Sequence, residues 1–518
     1  MRDNRGKAYG IGQWIGLVLL GVLVALLSAH AAAVVLDFIT AIRYPFELDY
    51  AEGIVWQEAM LIPGPRMYSN SQDLPFIVFY YPPLYYFLVR AALSIQPDFL
   101  AAGRLVSSLA VAPIALSAVG LVWISARRSS ARCPGWLLGS AQYAIPLAIG
   151  LLVLCLHAVR FWGTLMRVDM VAIALGMMAL LVAALANGRF WGIAVALLLC
   201  TASMFTRQTQ LPVGIAVFLI ALLRNPRGAL YAAAITAIFG IGALGLMETL
   251  TEGGFLRNIA DYNINPFSRW QAYSVFHSET RTGFPFMALM LIAAGAILFG
   301  LLRQGPGGFW PPAIGQRLLH LRLADRATMV RAMLLLHFTL ASLMLFTVFK
   351  VGSNVNYLLD WLCVGCVLIG VMLSDLAGSG WRFSLVTAML ILGVLNLPFR
   401  LLPDDRFSQQ QLDWRAALVR RIAAADKPVA SDEMTLLMRA GKPVIFESAI
   451  VSELASVGRW DERPLLNMIH SGGFAFMITR DDTPGATPLR TTAVDAAMRE
   501  AYPRVEQVGS LWLHLPAR

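Results

Sequence analysis

The stretch RYPFELDYAEGIVWQEA (43–59) places four carboxylates, Glu47, Asp49, Glu52 and Glu58, directly after the first long apolar run of the chain. A carboxylate held beside a hydroxyl can act as a general base. If DYAEG opens a helix, the i, i+3 spacing puts Asp49 and Glu52 on one face. An N-cap Asp with an acid in the first turn would look the same, but a cap does not require the surplus of acids. Later boundaries between apolar runs carry further polar groups: Asp169 in MRVDM, Arg207 in FTRQTQ, and Lys350, Asn354, Asn356 and Tyr357 in FKVGSNVNYLLD. Cations at the ends of apolar helices suit lipid phosphates, and neutral side chains add donors. Any one of these is equally well read as an interfacial residue snorkelling to water; their number favours a site. His277 and Glu279 in VFHSETR are two side chains able to bind a divalent metal, which is weak support for a metal site.

The elements that must position these residues are membrane helices. Of 518 residues 58% are hydrophobic and 14% charged, with net charge +10, whereas a soluble chain carries about 25% charged residues. Apolar runs long enough to cross a bilayer recur over the first four hundred residues, about eleven in all. They centre on 13–36, 101–125, 141–160, 170–187, 190–206, 211–223, 229–248, 284–302, 332–349, 357–374 and 383–400. RRSSAR (127–132), NGRF (187–190), RNPRG (224–228) and the link from Arg303 to Arg331 then fall on the side of the N-terminus, as the positive-inside rule asks. The basic excess lies in this membrane half and is read as topology, not as nucleic-acid binding. The expectation is a multi-pass protein of the cytoplasmic (inner) membrane, with a cytoplasmic N-terminus. The acidic stretch at 43–59, MRVDM, FTRQTQ and KVGSNVNYLLD then share the outer side. The first run, WIGLVLLGVLVALLSAHAAA, has features of a secretory signal but continues through Val34, Val35 and Leu36, so it reads as an uncleaved first helix. Cys363 and Cys366 form a C-x-x-C inside an apolar run, where packing is the expected role.

From about Pro403 the chain is charged and near neutral overall, and has no such run. DWRAALVRRIAAA, MTLLMRAG and TTAVDAAMREAYP have helical periodicity, and KPVASD, KPVIFE, GGFAFMIT and GSLWLHLP read as strands. A small α/β domain at 404–518 is expected, outside the membrane. It has no phosphate-binding glycine loop.

In order along the outer side, ELDYAEG, FYYPPLYYFLVR, MRVDM, FTRQTQ and KVGSNVNYLLD resemble the GT-C superfamily of integral membrane glycosyltransferases that use polyprenyl-phosphate sugars. Protein O-mannosyltransferases and lipid A aminoarabinose transferases are familiar members. The resemblance covers residues 1–403, with the first outer loop at 37–82, and the tail is similar to the periplasmic domain some bacterial members append. It implies transfer of a sugar to a glycan, lipid or protein acceptor, normally with inversion, and no required cofactor. It also implies that Asp49 is the base, with Glu52 the alternative because Tyr50 and Ala51 separate acids that are often adjacent in the family. Asp169 matches the second family acid, and Arg207, Lys350, Asn354, Asn356 and Tyr357 are candidates for donor phosphate and sugar. The competing reading is a transporter or flippase of a lipid-linked sugar, although no internal repeat supports it.

Overall fold

The computed structural model describes residues 11–126, 135–304, 324–402, 407–482 and 489–517. RRSSAR, most of the link between Arg303 and Arg331, the expected domain boundary at 403/404 and Cys133 lie outside the described residues.

Every apolar stretch expected to cross the membrane lies on a helix. Among the described residues, seven of these helices are long and apolar enough to span by themselves. Among them are α1 (Ile11–Arg43), α4 (Phe99–Ser125) and α7 (Asp169–Ala186). α5 (Gly135–Cys155) and α6 (His157–Gly163) are one apolar stretch bent by 59°. The break is at Leu156, whose ψ of 131° leaves the helical region. Phe190–Met204, Leu211–Arg224 and Trp381–Leu395 are shorter apolar helices. The chain is a multi-pass α-helical membrane protein. Cys155, Cys200, Cys363 and Cys366 are buried and unpaired by disulfide.

The polar links sort to the two ends of the bundle. At one end Asn187 closes α7 in the left-handed conformation, and the Asn225 side chain, which caps the helix Pro226–Leu250, donates to Gly188 O at 2.9 Å. Arg326 and Arg331 reach Ala184 O and Ser125 O there, and Arg331 clamps Asp375 with two hydrogen bonds of 2.6 and 2.7 Å. At the other end lie two short helices, α2 (Tyr50–Leu61) and α3 (Leu84–Ala92), together with the C-terminal tail. Tyr85 and Tyr86 of α3 are fully buried, with their hydroxyls on Gly103 O and Glu58. They are core residues and not members of an interfacial belt.

The tail forms a four-stranded sheet of order β1-β2-β4-β3. β1 (Ala430–Ser431) runs parallel to β2 (Met477–Thr479), while β4 (Leu511–Leu515) pairs antiparallel with β2 and with β3 (Arg504–Val508). The edge strand β3 is exposed along nearly its whole length, so it lacks the apolar alternation that would announce it in sequence. KPVIFE is not a strand of this sheet: its one bridge joins Phe446 to Phe76 of the first loop, where Phe76 N–H donates to Ile445 O at 2.8 Å. The same exchange runs through the packing. Phe76 stacks on Trp460 within one tail core, and Tyr44 and Phe46 enter the other. The tail is therefore built around the segment that carries the acids.

Candidate active site

The four acids of the opening stretch take four different environments. Asp49 is the N-cap of α2, with Oδ1 accepting from Ala51 N–H at 3.1 Å. Glu52, in the first turn, turns inward to the buried Arg104 of α4. Arg104 Nε and Nη2 hold its two oxygens at 2.8 and 2.7 Å, and Leu48 N–H and Met166 N–H add bonds of 2.7 and 2.8 Å. The rest of the guanidinium is spent on Ala41 O, Tyr44 O and Phe46 O. Glu47 takes the Thr435 hydroxyl at 3.1 Å and pairs with Arg480 of the tail. Glu58 accepts from Tyr86 OH at 2.5 Å and Tyr80 N–H at 2.9 Å, and burial pushes its carboxyl up to about 8. Glu47, Glu52 and Glu58 are buried, whereas the Asp49 side chain is 24% exposed. Its Oδ2 has no partner among the described residues.

Asp49 faces a charged cluster. Arg167 Nη1 lies 3.4 Å from Asp49 Oδ1, its Nη2 donates to Tyr81 OH at 3.2 Å, and its Nε lies 3.7 Å from Asp169 Oδ2. Asp169 opens α7 fully buried. Its Oδ1 takes Arg207 Nη1 and, at 2.9 Å, the Asn356 amide. The Arg207 guanidinium sits over the Tyr357 ring, 4.8 Å from its centroid, a cation–π contact that fixes it while leaving donors free. Arg207 Nε and Nη2 have no partner among the described residues, and the side chain lines a cleft with Asn356, Tyr357 and Asp360. Three buried polar atoms in the cluster, Asp169 Oδ2, Arg167 Nε and Asn356 Oδ1, are without a hydrogen bond. Such atoms are uncommon in buried positions, and each calls for a partner such as a water, an ion or a ligand.

Asp49, Asp169, Arg207, Asn356 and Tyr357 are thus gathered at one place, carried by the ends of four separate helical segments. Lys350 and Asn354 are not tied into that cluster. Lys350 Nζ donates to Asn263 O and Oδ1 at 3.2 and 3.1 Å, and burial lowers its affinity for its proton. Asn354 caps the turn Val355–Leu358 by accepting from Val355 N–H at 2.8 Å. Glu279 meets His157, not His277, at 3.5 Å. Among the described residues no three His, Cys, Asp or Glu side chains are grouped to hold a metal ion. Sequence reasoning missed Tyr81 and Arg104 as partners of the acids. The Tyr-Pro-Pro segment offered a signal for the first, and an Arg inside the apolar run 101–125 for the second.

No family model and no curated protein matches the sequence. Solved structures do match in shape. ArnT from Cupriavidus metallidurans bound to undecaprenyl phosphate superposes with a TM-score of 0.55 at 11% identity, over 94% of this chain and 98% of that one. Its apo form gives 0.53 at 12%, over 94% and 97%. The Archaeoglobus fulgidus oligosaccharyltransferase, in the apo form, gives 0.50 at 11%, over 89% of this chain and 69% of that one. At such identities the likeness is one of fold, and it extends through the tail as well as the bundle. The chain has the fold of the GT-C membrane glycosyltransferases.

Proposed function

We propose that this protein moves a sugar from a polyprenyl-phosphate-linked donor to an envelope glycan, lipid or protein acceptor, on the outer side of the cytoplasmic membrane. The observation that carries the reading is Asp49: of the four acids, it alone keeps an open oxygen, and it shares Arg167 with Asp169 and so with Arg207. In the step we assign, Asp49 Oδ2 takes the acceptor hydroxyl proton as the acceptor oxygen attacks the anomeric carbon. The bond from that carbon to the phosphate oxygen breaks with inversion, and its electron pair goes to the phosphate. Arg207, with its free N–H groups, meets the charge that builds there, a role that preorganised donors fill well in a dry site. Asn356 and Asp169 hold Arg207 in place, and Tyr357 backs it. Arg167 orients Asp49. Glu52, with both oxygens saturated, is assigned to holding α2 on Arg104, which leaves Asp49 as the base. No step requires a cofactor.

The undecaprenyl phosphate bound by the similarly folded ArnT supports a polyprenyl donor. The test is to incubate the purified full chain in lipid with polyprenyl-phosphate sugars and candidate acceptors, and to quantify free polyprenyl phosphate by mass spectrometry. Acceptor-dependent release is expected. A donor that stays intact with every acceptor while crossing the membrane would replace this reading with translocation.

A further inference from the structure

A cleft of about 700 Å³ opens beside α6, against the first turns of the helix Arg269–Gln304. None of the residues assigned to transfer lines it. Its wall is a polar stripe on one helical face: Trp270, Tyr273, His277 and Arg281 follow at spacings of three and four, interleaved with Ser274, Ser278 and Thr282. Three of these rings form a ladder, with Trp270–Tyr273 centroids 5.3 Å apart and Tyr273–His277 centroids 5.4 Å apart. From Phe284 onward the same helix is apolar. The stripe therefore lies where the helix leaves the hydrocarbon, at the tail end of the bundle. There α6 sends Arg160 to Pro398 O and Phe399 O.

Three observations point to a ligand. Arg281 has no hydrogen bond or ion pair among the described residues, although it lines the cleft. Thr282, also in the lining, carries a buried Oγ1 without a hydrogen bond. Behind His157 stands Glu279, 1% exposed, whose Oε2 also has no hydrogen bond and lies 3.5 Å from Nδ1. Glu279 occupies the Nδ1 side of the ring and leaves Nε2 for a ligand. A permanent cation with hydroxyl and imidazole groups, at the bilayer surface and flanked by an aromatic ladder, has the chemistry to take a phosphate whose apolar chain stays among lipids.

We infer that this cleft is a second binding site, for the phosphate headgroup of an amphiphile, separate from the Arg207 cluster. The occupant's phosphate sits at Arg281, with hydroxyl donors from the same stripe, and its chain runs along Trp270 and Tyr273 into the bilayer. The inference does not depend on transfer activity. It is tested by binding alone, using the full chain in detergent and a fluorescent short-chain polyprenyl phosphate. The Arg207→Ala background silences the first cluster. Binding is expected to persist in that background and to weaken about tenfold when Arg281→Glu is added, the loss of one charge-assisted contact. The uncharged polyprenol should bind about tenfold more weakly than the phosphate. Competition by a phosphatidylglycerol analogue at matched concentration would identify bulk phospholipid as the occupant, and failure to compete would identify a lipid-linked substrate. Arg281 lies exposed on a helix surface, so the variant should fold, and a melting curve checks this. Unchanged affinity in a folded Arg281→Glu protein, or equal affinity for polyprenol, would overturn the inference.

Discussion

Two sets of charged groups stand at the same end of this bundle and are built in opposite ways. In one, Glu52 and Arg104 are fully buried and every polar atom has a partner; Asp37 is likewise closed off by Arg160, Arg400 and two backbone N–H groups. In the other, Asp49, Arg167, Asp169 and Arg207 share too few partners, leaving an open carboxylate oxygen, free guanidinium N–H groups and three buried atoms unsatisfied. A buried ion pair saturated by hydrogen bonds is a fastening, and breaking it strands a charge. An unsaturated cluster of the same residue types is ready for a ligand. Residue type and position along the chain do not separate the two; the partner count does.

The comparison can be broken most severely at the fastening. Arg104→Ala leaves Glu52 buried without its cation and takes a donor from each of three backbone carbonyls, and should lower stability by about 3–5 kcal/mol, read as lost thermal resistance or lost expression in membranes. At the open cluster, Arg207→Ala takes the nearest cation from the buried Asp169. It should lower the melting temperature, but by less than Arg104→Ala, because Arg167 and Asn356 still face that carboxylate. It should also reduce kcat/KM by about a hundredfold. Arg207→Lys should recover part of the loss, because the point charge remains without the planar fork.

A third comparison sharpens the contrast through pH. Glu58 carries a folded-state pKa raised to about 8 by burial, against an unfolded value of 4.5. Between those values the folded protein holds a proton that the unfolded chain has released, so stability should fall as pH rises through that window and level off above it. Glu58→Gln should flatten this dependence in melting curves recorded from pH 5 to 9 in steps of about one unit.

The helices were legible because each apolar run must satisfy its own backbone in lipid. The bend at Leu156 was not, since no proline or glycine marks it. In the tail, β4 showed itself through buried alternating residues, whereas β3 is a solvent-facing edge and KPVIFE was claimed by the first loop. At the site, Asp49, Asp169, Arg207 and Asn356 were visible as polar groups at helix ends. Their division of labour was not visible, because the i, i+3 spacing of Asp49 and Glu52 does not say that one meets Arg167 and the other Arg104. Lys350 carried the same signal as Arg207, yet a neighbouring loop supplies its partner. Tyr85 and Tyr86 are core residues through their packing against α4 and Glu58, which aromatic residues beside Pro-Pro do not by themselves reveal.

The most direct measurement is turnover of Asp49→Asn beside Glu52→Gln, each with its melting temperature. Asp49→Asn should keep the wild-type melting temperature and lose acceptor-dependent release of polyprenyl phosphate by about 10²–10⁴-fold, while Glu52→Gln should melt earlier. Undiminished release from a folded Asp49→Asn protein would contradict the assignment of Asp49 as the base.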